Sequence, residues 1–424
     1  MDTRPSSAYH SPALTRLNAY LSKRQADQPE GKFGYTRDAL LAEARRQTGL
    51  ERFGDPGFIA ALDMTVKVFD SDTLNPFGRE RERSSILQSL KNLLWAEHCF
   101  ATHPEILQRE LAPPIIILGL ARTGTTRLYR MLAADARLQY LSLWEGINPA
   151  PRPELQGQGR SVRIREMSES IKAIHLLAPA IGAIHPMEAS WADDDAVLLS
   201  HWFAQPTVER FFHSPGYYDW LVSADRLGAY RNMRNLMKLM DWAREESGEA
   251  GGKTWVLKAP DYLLDIGLLQ QVFPGAKLVF THRDPVAAIA SGMSLAWNIN
   301  VLSSDAPCRA ACRDFTLRRS EDMMRCLISD RKEIPPGQQI DVYYDDVNRD
   351  WQAQLSRIYE FAGIDFTSEA RRDIASWTER SRNENRHGGH RYNLGDYDCS
   401  KQEVEERMRF YSDHYAVSAE MELK

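Results

Sequence analysis

The segment that most constrains this chain is Pro113–Ala136, PPIIILGLARTGTTRLYRMLAADA. Four large aliphatic residues in a row read as a strand buried on both faces, and the glycine-containing turn that follows opens onto an apolar-periodic helix with Leu128, Met131 and Leu132 inward. Two further runs resemble the first strand: Thr254–Lys258, followed by a helix through Leu263, Leu264, Ile266, Leu268 and Leu269, and Lys277–Thr281. A fourth strand is expected at Asp341–Tyr344. Strands alternating with helices imply an α/β fold with a P-loop-like parallel β-sheet flanked by helices.

The rest of the chain arranges itself around that core. Residues 1–34, rich in Pro, Ser, Gln and charge, read as a flexible arm. Residues 35–110 read as a helical N-terminal layer, with Ile86, Leu87, Leu90, Leu93 and Leu94 on one face. Residues 111–424 form the α/β core, interrupted at about 150–250 by a large helical insertion. That insertion is unusually aromatic (Trp191, Trp202, Phe203, Phe211, Phe212, Tyr217, Tyr218, Trp220), and its size suggests that it carries a substrate pocket.

Composition narrows the function. Against 53 Lys and Arg stand 58 Asp and Glu, a formal charge of −5, so no global field recruits nucleic acid or an anionic membrane. An anion site must be local. Five cysteines (Cys99, Cys308, Cys312, Cys326, Cys399) are too few and too scattered for a disulfide framework, and no second pair or nearby histidine completes a metal tetrad around Cys308 and Cys312. No metal ligand set is expected. The start of the chain lacks the apolar core of a signal peptide, and no uninterrupted apolar run reaches the roughly 18 residues of a membrane span. A cytoplasmic location follows as the expectation.

Gly119 and Gly124 bracket four residues between strand and helix, the spacing of a nucleotide phosphate loop. Backbone N–H groups and the helix dipole would converge there on an anion. The lysine of a triphosphate loop is replaced by Thr125, while a cation sits earlier at Arg122. A phosphate bearing a sulfuryl group, with no γ-phosphate, would need hydroxyl donors and one cation, which Thr123, Thr125, Thr126 and Arg122 supply. A kinase or NTPase is the rival reading, and the missing lysine counts against it. A second anchor is Arg283 in HRDP after the third strand, with Ser291 two turns into the next helix, placed to share one phosphate. Late in the chain Arg380, Arg382, Arg386, His387, His390 and Arg391 flank Gly388 and Gly389, so that a basic loop could wrap an anion.

Taken together, HPEILQRELAPPIIILGLARTGTTRLYRMLAADA, LWEGINPAP, AIHPMEASWADDDAVLLSHWF, KTWVLKAPDYLLDIGLLQQVFPGAKLVFTHRDPVAAIASGMSL and HRYNLGDY resemble, in order, blocks of the sulfotransferases that use 3'-phosphoadenosine 5'-phosphosulfate (PAPS), in their bacterial stand-alone branch. The resemblance implies transfer of a sulfuryl group from PAPS to a small-molecule hydroxyl, with no metal required. It assigns Arg122, Thr123, Gly124, Thr125, Thr126 and Arg127 to the 5'-phosphosulfate, Arg283 with Ser291 to the 3'-phosphate, and Lys258 to the reaction centre.

Members of that branch often carry a histidine four residues after the strand-end lysine; here Tyr262 stands in its place. The general base is therefore open among Glu145, His185, Glu188, Asp261 and Tyr262, the last only if its phenol pKa were lowered. A non-catalytic adenosine-nucleotide binding protein is the alternative that this substitution raises. The aromatic insertion favours an apolar or aromatic alcohol or phenol as acceptor.

Overall fold

The computed structural model describes residues 9–26, 36–69, 73–205, 215–384 and 393–417. Its centre is a five-stranded sheet: β1 (Ile115–Leu118), β2 (Leu138–Gln139), β3 (Thr254–Lys258), β4 (Lys277–His282) and β5 (Gln339–Tyr343). The spatial order is β2-β3-β1-β4-β5 and every pairing is parallel. All four residues of β1 are buried, as a strand with helices on both faces requires. Ile115 and Ile117 join Leu128, Tyr129, Val256 and Val279 in one core. Ile116 and Leu118 face the other way, into the larger core with Leu257, Leu278 and Phe280.

That alternation decides where a ligand can sit. The helix after β1, Thr125–Leu132, packs on the first face through Leu128, Met131 and Leu132. The helix after β4, Pro285–Ser303, packs on the second through Ala288, Ile289 and Met293. Adjacent strands whose connections leave to opposite faces open a crevice at their carboxyl ends, the usual ligand position in open α/β sheets. By length and composition Pro285–Ser303 is also apolar enough to cross a membrane, with 67% of its most apolar stretch buried inside the structure.

Helices Arg37–Thr48, Ile59–Phe69 and Pro76–Thr102 form the N-terminal layer. Pro76–Thr102 starts where Asn75 Oδ1 accepts from Gly78 N at 2.7 Å, and buries Ile86, Leu90, Leu93 and Leu94. The stretch expected as a flexible arm differs: Pro12–Ala26 is a helix that buries Leu14 and Leu21. Ser11 ties it down, accepting from Leu14 N at 3.1 Å and donating to Leu177 O at 2.7 Å. Its leucines at i and i+7 supply an apolar stripe that the surrounding charge had obscured.

The stretch between β2 and β3 contains helices Leu143–Ile147, Gly159–Leu177, Pro179–Ile184, Pro215–Ser223 and Leu227–Glu246. Its aromatic residues mostly build core. Trp202, Phe203, Tyr217 and Tyr218 are buried, and Phe58 meets Trp202 and Phe203 at ring-centroid distances of 5.8 and 6.0 Å. Phe211 and Phe212 lie outside the described residues, as do His390 and Arg391 of the late basic loop.

Gly119 joins β1 to the loop where only a glycine fits. A Cβ there would stand 2.0 Å from Thr281 Oγ1 and 2.9 Å from the Thr281 backbone oxygen, and backbone cannot yield cheaply. Gly119→Ala is therefore expected to destabilise the protein by about 1–3 kcal/mol, the usual cost of overpacking, as read by urea denaturation.

Candidate active site

The loop between β1 and Thr125–Leu132 turns through two left-handed residues, Arg122 at φ +74° and Gly124 at φ +86°. A left-handed conformation costs a residue with a Cβ about 1–2 kcal/mol, and such outliers concentrate at ligand clamps. Thr123 offsets the cost. Its hydroxyl is buried, donates to Leu120 O at 2.8 Å and lies 2.7 Å from Thr281 Oγ1 on β4. Thr123 therefore turns into the protein rather than towards a ligand.

The first intrahelical bond runs from Leu128 N to Gly124 O, so the N–H groups of Thr125 and Thr126 precede the ladder, at the positive end of the helix dipole. Thr125 is buried, Thr126 and Arg127 are half-buried, and Arg122 is exposed. Arg122 Nη1 donates to Ile184 O at 3.3 Å, and Arg127 Nη1 to Asn348 Oδ1 at 2.7 Å.

Beside the loop stands Arg283. Its Nη1 donates to Arg122 O at 2.6 Å, and its guanidinium lies 4.0 Å from the centroid of the Tyr344 ring. Tyr344 in turn backs Gly124, where an added Cβ would meet the ring at 2.9 Å. The neighbouring His282 is structural: its Nε2 is 2.8 Å from Asp341 and its ring stacks on Tyr415 at 4.3 Å. Asp284 caps the next helix by accepting from Val286 N at 2.9 Å, and that helix buries Ser291. Arg283 thus lies beside the loop, and Ser291 is 1% exposed.

Lys258 ends β3 in register with Ile117 of β1 and is 1% exposed. Its Nζ pairs with the Asp194 carboxylate and donates to Thr126 Oγ1 at 3.3 Å, which puts a cation at the helix start in place of the missing loop lysine. Burial lowers the Lys258 ammonium to about 8, Arg130 adds to the effect, and Asp193 and Asp261 pull against it. Its backbone N–H donates to Asp195, which also accepts from Tyr129 Oη at 2.8 Å. Burial holds the Asp195 carboxyl well above the usual range.

The proposed bases separate. His185 lies 3.3 Å from Asp193 and its side chain is 30% exposed. Glu188 is exposed nearby, and Asp261 is engaged with Arg319. Glu145 is elsewhere: it accepts from Arg244 at 2.7 and 3.0 Å and from Ser142 Oγ at 2.6 Å. Burial alone would raise its pKa, but the Arg244 charge and these hydrogen bonds outweigh burial and keep it below the usual range. Tyr262 is fully buried, its hydroxyl 3.7 Å from Met233 Sδ, and burial raises its phenol well above 10. Neither residue has a proton-accepting atom at the loop. Sequence reasoning assigned no role to Asp193, Asp194, Asp195, Arg130 or Tyr344; the run of three aspartates was the available signal.

The chain belongs to the sulfotransferase family, whose model matches residues 113–368. It is 25% identical over 256 residues to omega-hydroxy-beta-dihydromenaquinone-9 sulfotransferase Stf3 of Mycobacterium bovis and of Mycobacterium tuberculosis. That similarity spans 59% of this chain and 63% of those relatives. The crystal structure of sulfotransferase STF1 from Mycobacterium tuberculosis H37Rv superposes with a TM-score of 0.74 at 27% identity, over 88% of this chain and 98% of that one. Sulfotransferase STF9 from Mycobacterium avium shares the fold, with a TM-score of 0.77 at 22% identity over 92% and 99% of the two chains.

The contrast between the two displaced bases is measurable. Glu145→Gln strands the buried Arg244 charge and should cost about 3–5 kcal/mol in urea denaturation. Tyr262→Phe removes only a weak contact to sulfur and should cost less than about 1 kcal/mol.

Proposed function

We propose that this chain transfers a sulfuryl group from PAPS to the hydroxyl of a small apolar acceptor, releasing adenosine 3',5'-bisphosphate. The observation that carries the reading is Lys258 at Thr126: a buried cation at the mouth of an anion loop that has no lysine of its own. Thr125 and Thr126 N–H groups would hold the 5'-phosphosulfate, while Arg122 and Lys258 would meet the charge that grows as the S–O bond to the phosphate breaks. Such preorganised charge is typically the largest catalytic contribution, on the order of a hundredfold or more for each group. Arg283 and Ser291 would address the 3'-phosphate, with Arg127 on the loop side. No step calls for a metal.

For the acceptor, a narrow cleft opens beside the loop, walled by Leu120, Ala121, Ile289, Leu295, Phe315 and Met323, with Thr316, Arg319 and Ser320 supplying its polar edge. Its mainly apolar lining suits an apolar alcohol or phenol. The Stf3 relatives are named for a hydroxylated menaquinone, which fits the same class.

Calorimetry tests the donor assignment. Adenosine 3',5'-bisphosphate should bind without magnesium and more tightly than AMP, and Arg283→Ala should weaken it at least tenfold, the consequence of losing a charge-assisted contact of about 1.5–3 kcal/mol. Equal affinity for the two nucleotides contradicts the assignment. Turnover has a separate signature: since the Lys258 ammonium titrates at about 8, the rate should fall as pH rises through that value and the cation is lost.

A further inference from the structure

A hydroxyl acceptor must surrender its proton as the new S–O bond forms. Tyr262 faces Met233 in the core and Glu145 faces Arg244, so the position where a histidine was expected cannot serve. Another histidine stands at the loop from a different part of the chain.

Three contacts bring His185 there. The carbonyl that precedes it, Ile184 O, accepts from Arg122 Nη1 at 3.3 Å. Its own Nε2 lies 3.3 Å from Asp193 Oδ2, and the next residue, Asp194, pairs with Lys258. Arg130 clasps both ends of the intervening turn, donating to Pro186 O at 3.2 Å and to Ala192 O at 3.1 Å, with its guanidinium 4.6 Å from the centroid of the Trp191 ring. A partly exposed imidazole backed by a buried carboxylate is therefore tied to the cations of the site on both sides.

We infer that His185 is the general base of the sulfuryl transfer and that Asp193 is its positioning residue. The inference rests on the proposed sulfotransferase reading. The proton on Nε2 is donated to Asp193, which leaves the lone pair on Nδ1 for the acceptor. As the acceptor oxygen bonds to sulfur, its proton passes to Nδ1. The S–O bond to the 5'-phosphate breaks, and its electron pair leaves with adenosine 3',5'-bisphosphate. The imidazolium then returns the proton to solvent. With the Asp193 charge removed, nothing holds the proton on Nε2, and the ring is free to take the other tautomer.

The experiment compares wild type, His185→Asn and Asp193→Asn with PAPS and two acceptors, dodecan-1-ol and 4-nitrophenol, near pH 8. Losing a general base costs roughly a hundredfold or more with the alcohol, and less than about tenfold with the phenol, which is already largely ionised. The affinity of His185→Asn for adenosine 3',5'-bisphosphate should stay within about twofold of wild type, and Asp193→Asn should lose more activity with the alcohol than with the phenol. Equal losses with both acceptors overturn the assignment. Nitrogen-15 NMR of the imidazole gives an answer independent of turnover: the Nε2-protonated tautomer is expected in wild type and its loss in Asp193→Asn, while an Nδ1-protonated ring overturns the proposal. A wild-type protein that neither binds the bisphosphate nor consumes PAPS would instead defeat the underlying reading.

Discussion

The site depends on how tightly the loop after β1 is pressed against β4. Gly119 allows backbone contact with Thr281, and the Thr123 and Thr281 hydroxyls lie 2.7 Å apart. With Thr123 anchored inward, the chain passes through the left-handed Arg122 and Gly124 before entering the helix. That path aims the helix N-terminus at the crevice between oppositely directed connections. A local backbone strain of about 1–2 kcal/mol is offset by buried hydrogen bonds.

Charge is arranged on the same principle. Lys258 is buried at the end of β3, and water cannot solvate it, so Asp194 and Thr126 do. Asp194 has 40% of its side chain exposed and pairs with Lys258, whereas Asp193 is almost wholly covered and lies against His185. The two neighbouring aspartates thus divide the work, one next to the cation and one next to the imidazole. Arg283, bonded to the Arg122 carbonyl, ties the end of β4 to the loop after β1.

Much of this was legible in the sequence. The strands at Thr254–Lys258 and Lys277–His282 stand where aliphatic runs ended in a cation, and the loop declared itself through glycine spacing. Other features depended on tertiary context. The strand Leu138–Gln139 has two residues and no periodicity to detect. The helix Pro12–Ala26 is held by a contact to Leu177, 166 residues away in the chain. Thr123 offered a hydroxyl whose direction only the fold decides. Glu145 and Tyr262 were reasonable bases until burial and their partners were visible. His185 could be suspected, and Asp193 and Asp194 lie in the same block of sequence, but the link through Asp194 to Lys258, 64 residues further on, depends on the fold.

The most direct measurement is a crystal structure with adenosine 3',5'-bisphosphate bound. The account predicts the 5'-phosphate within hydrogen-bonding distance of the Thr125 and Thr126 N–H groups, and the 3'-phosphate between Arg283 and Ser291. A nucleotide bound away from the Gly119–Gly124 loop, or in the reverse orientation with its 3'-phosphate in that loop, would contradict it.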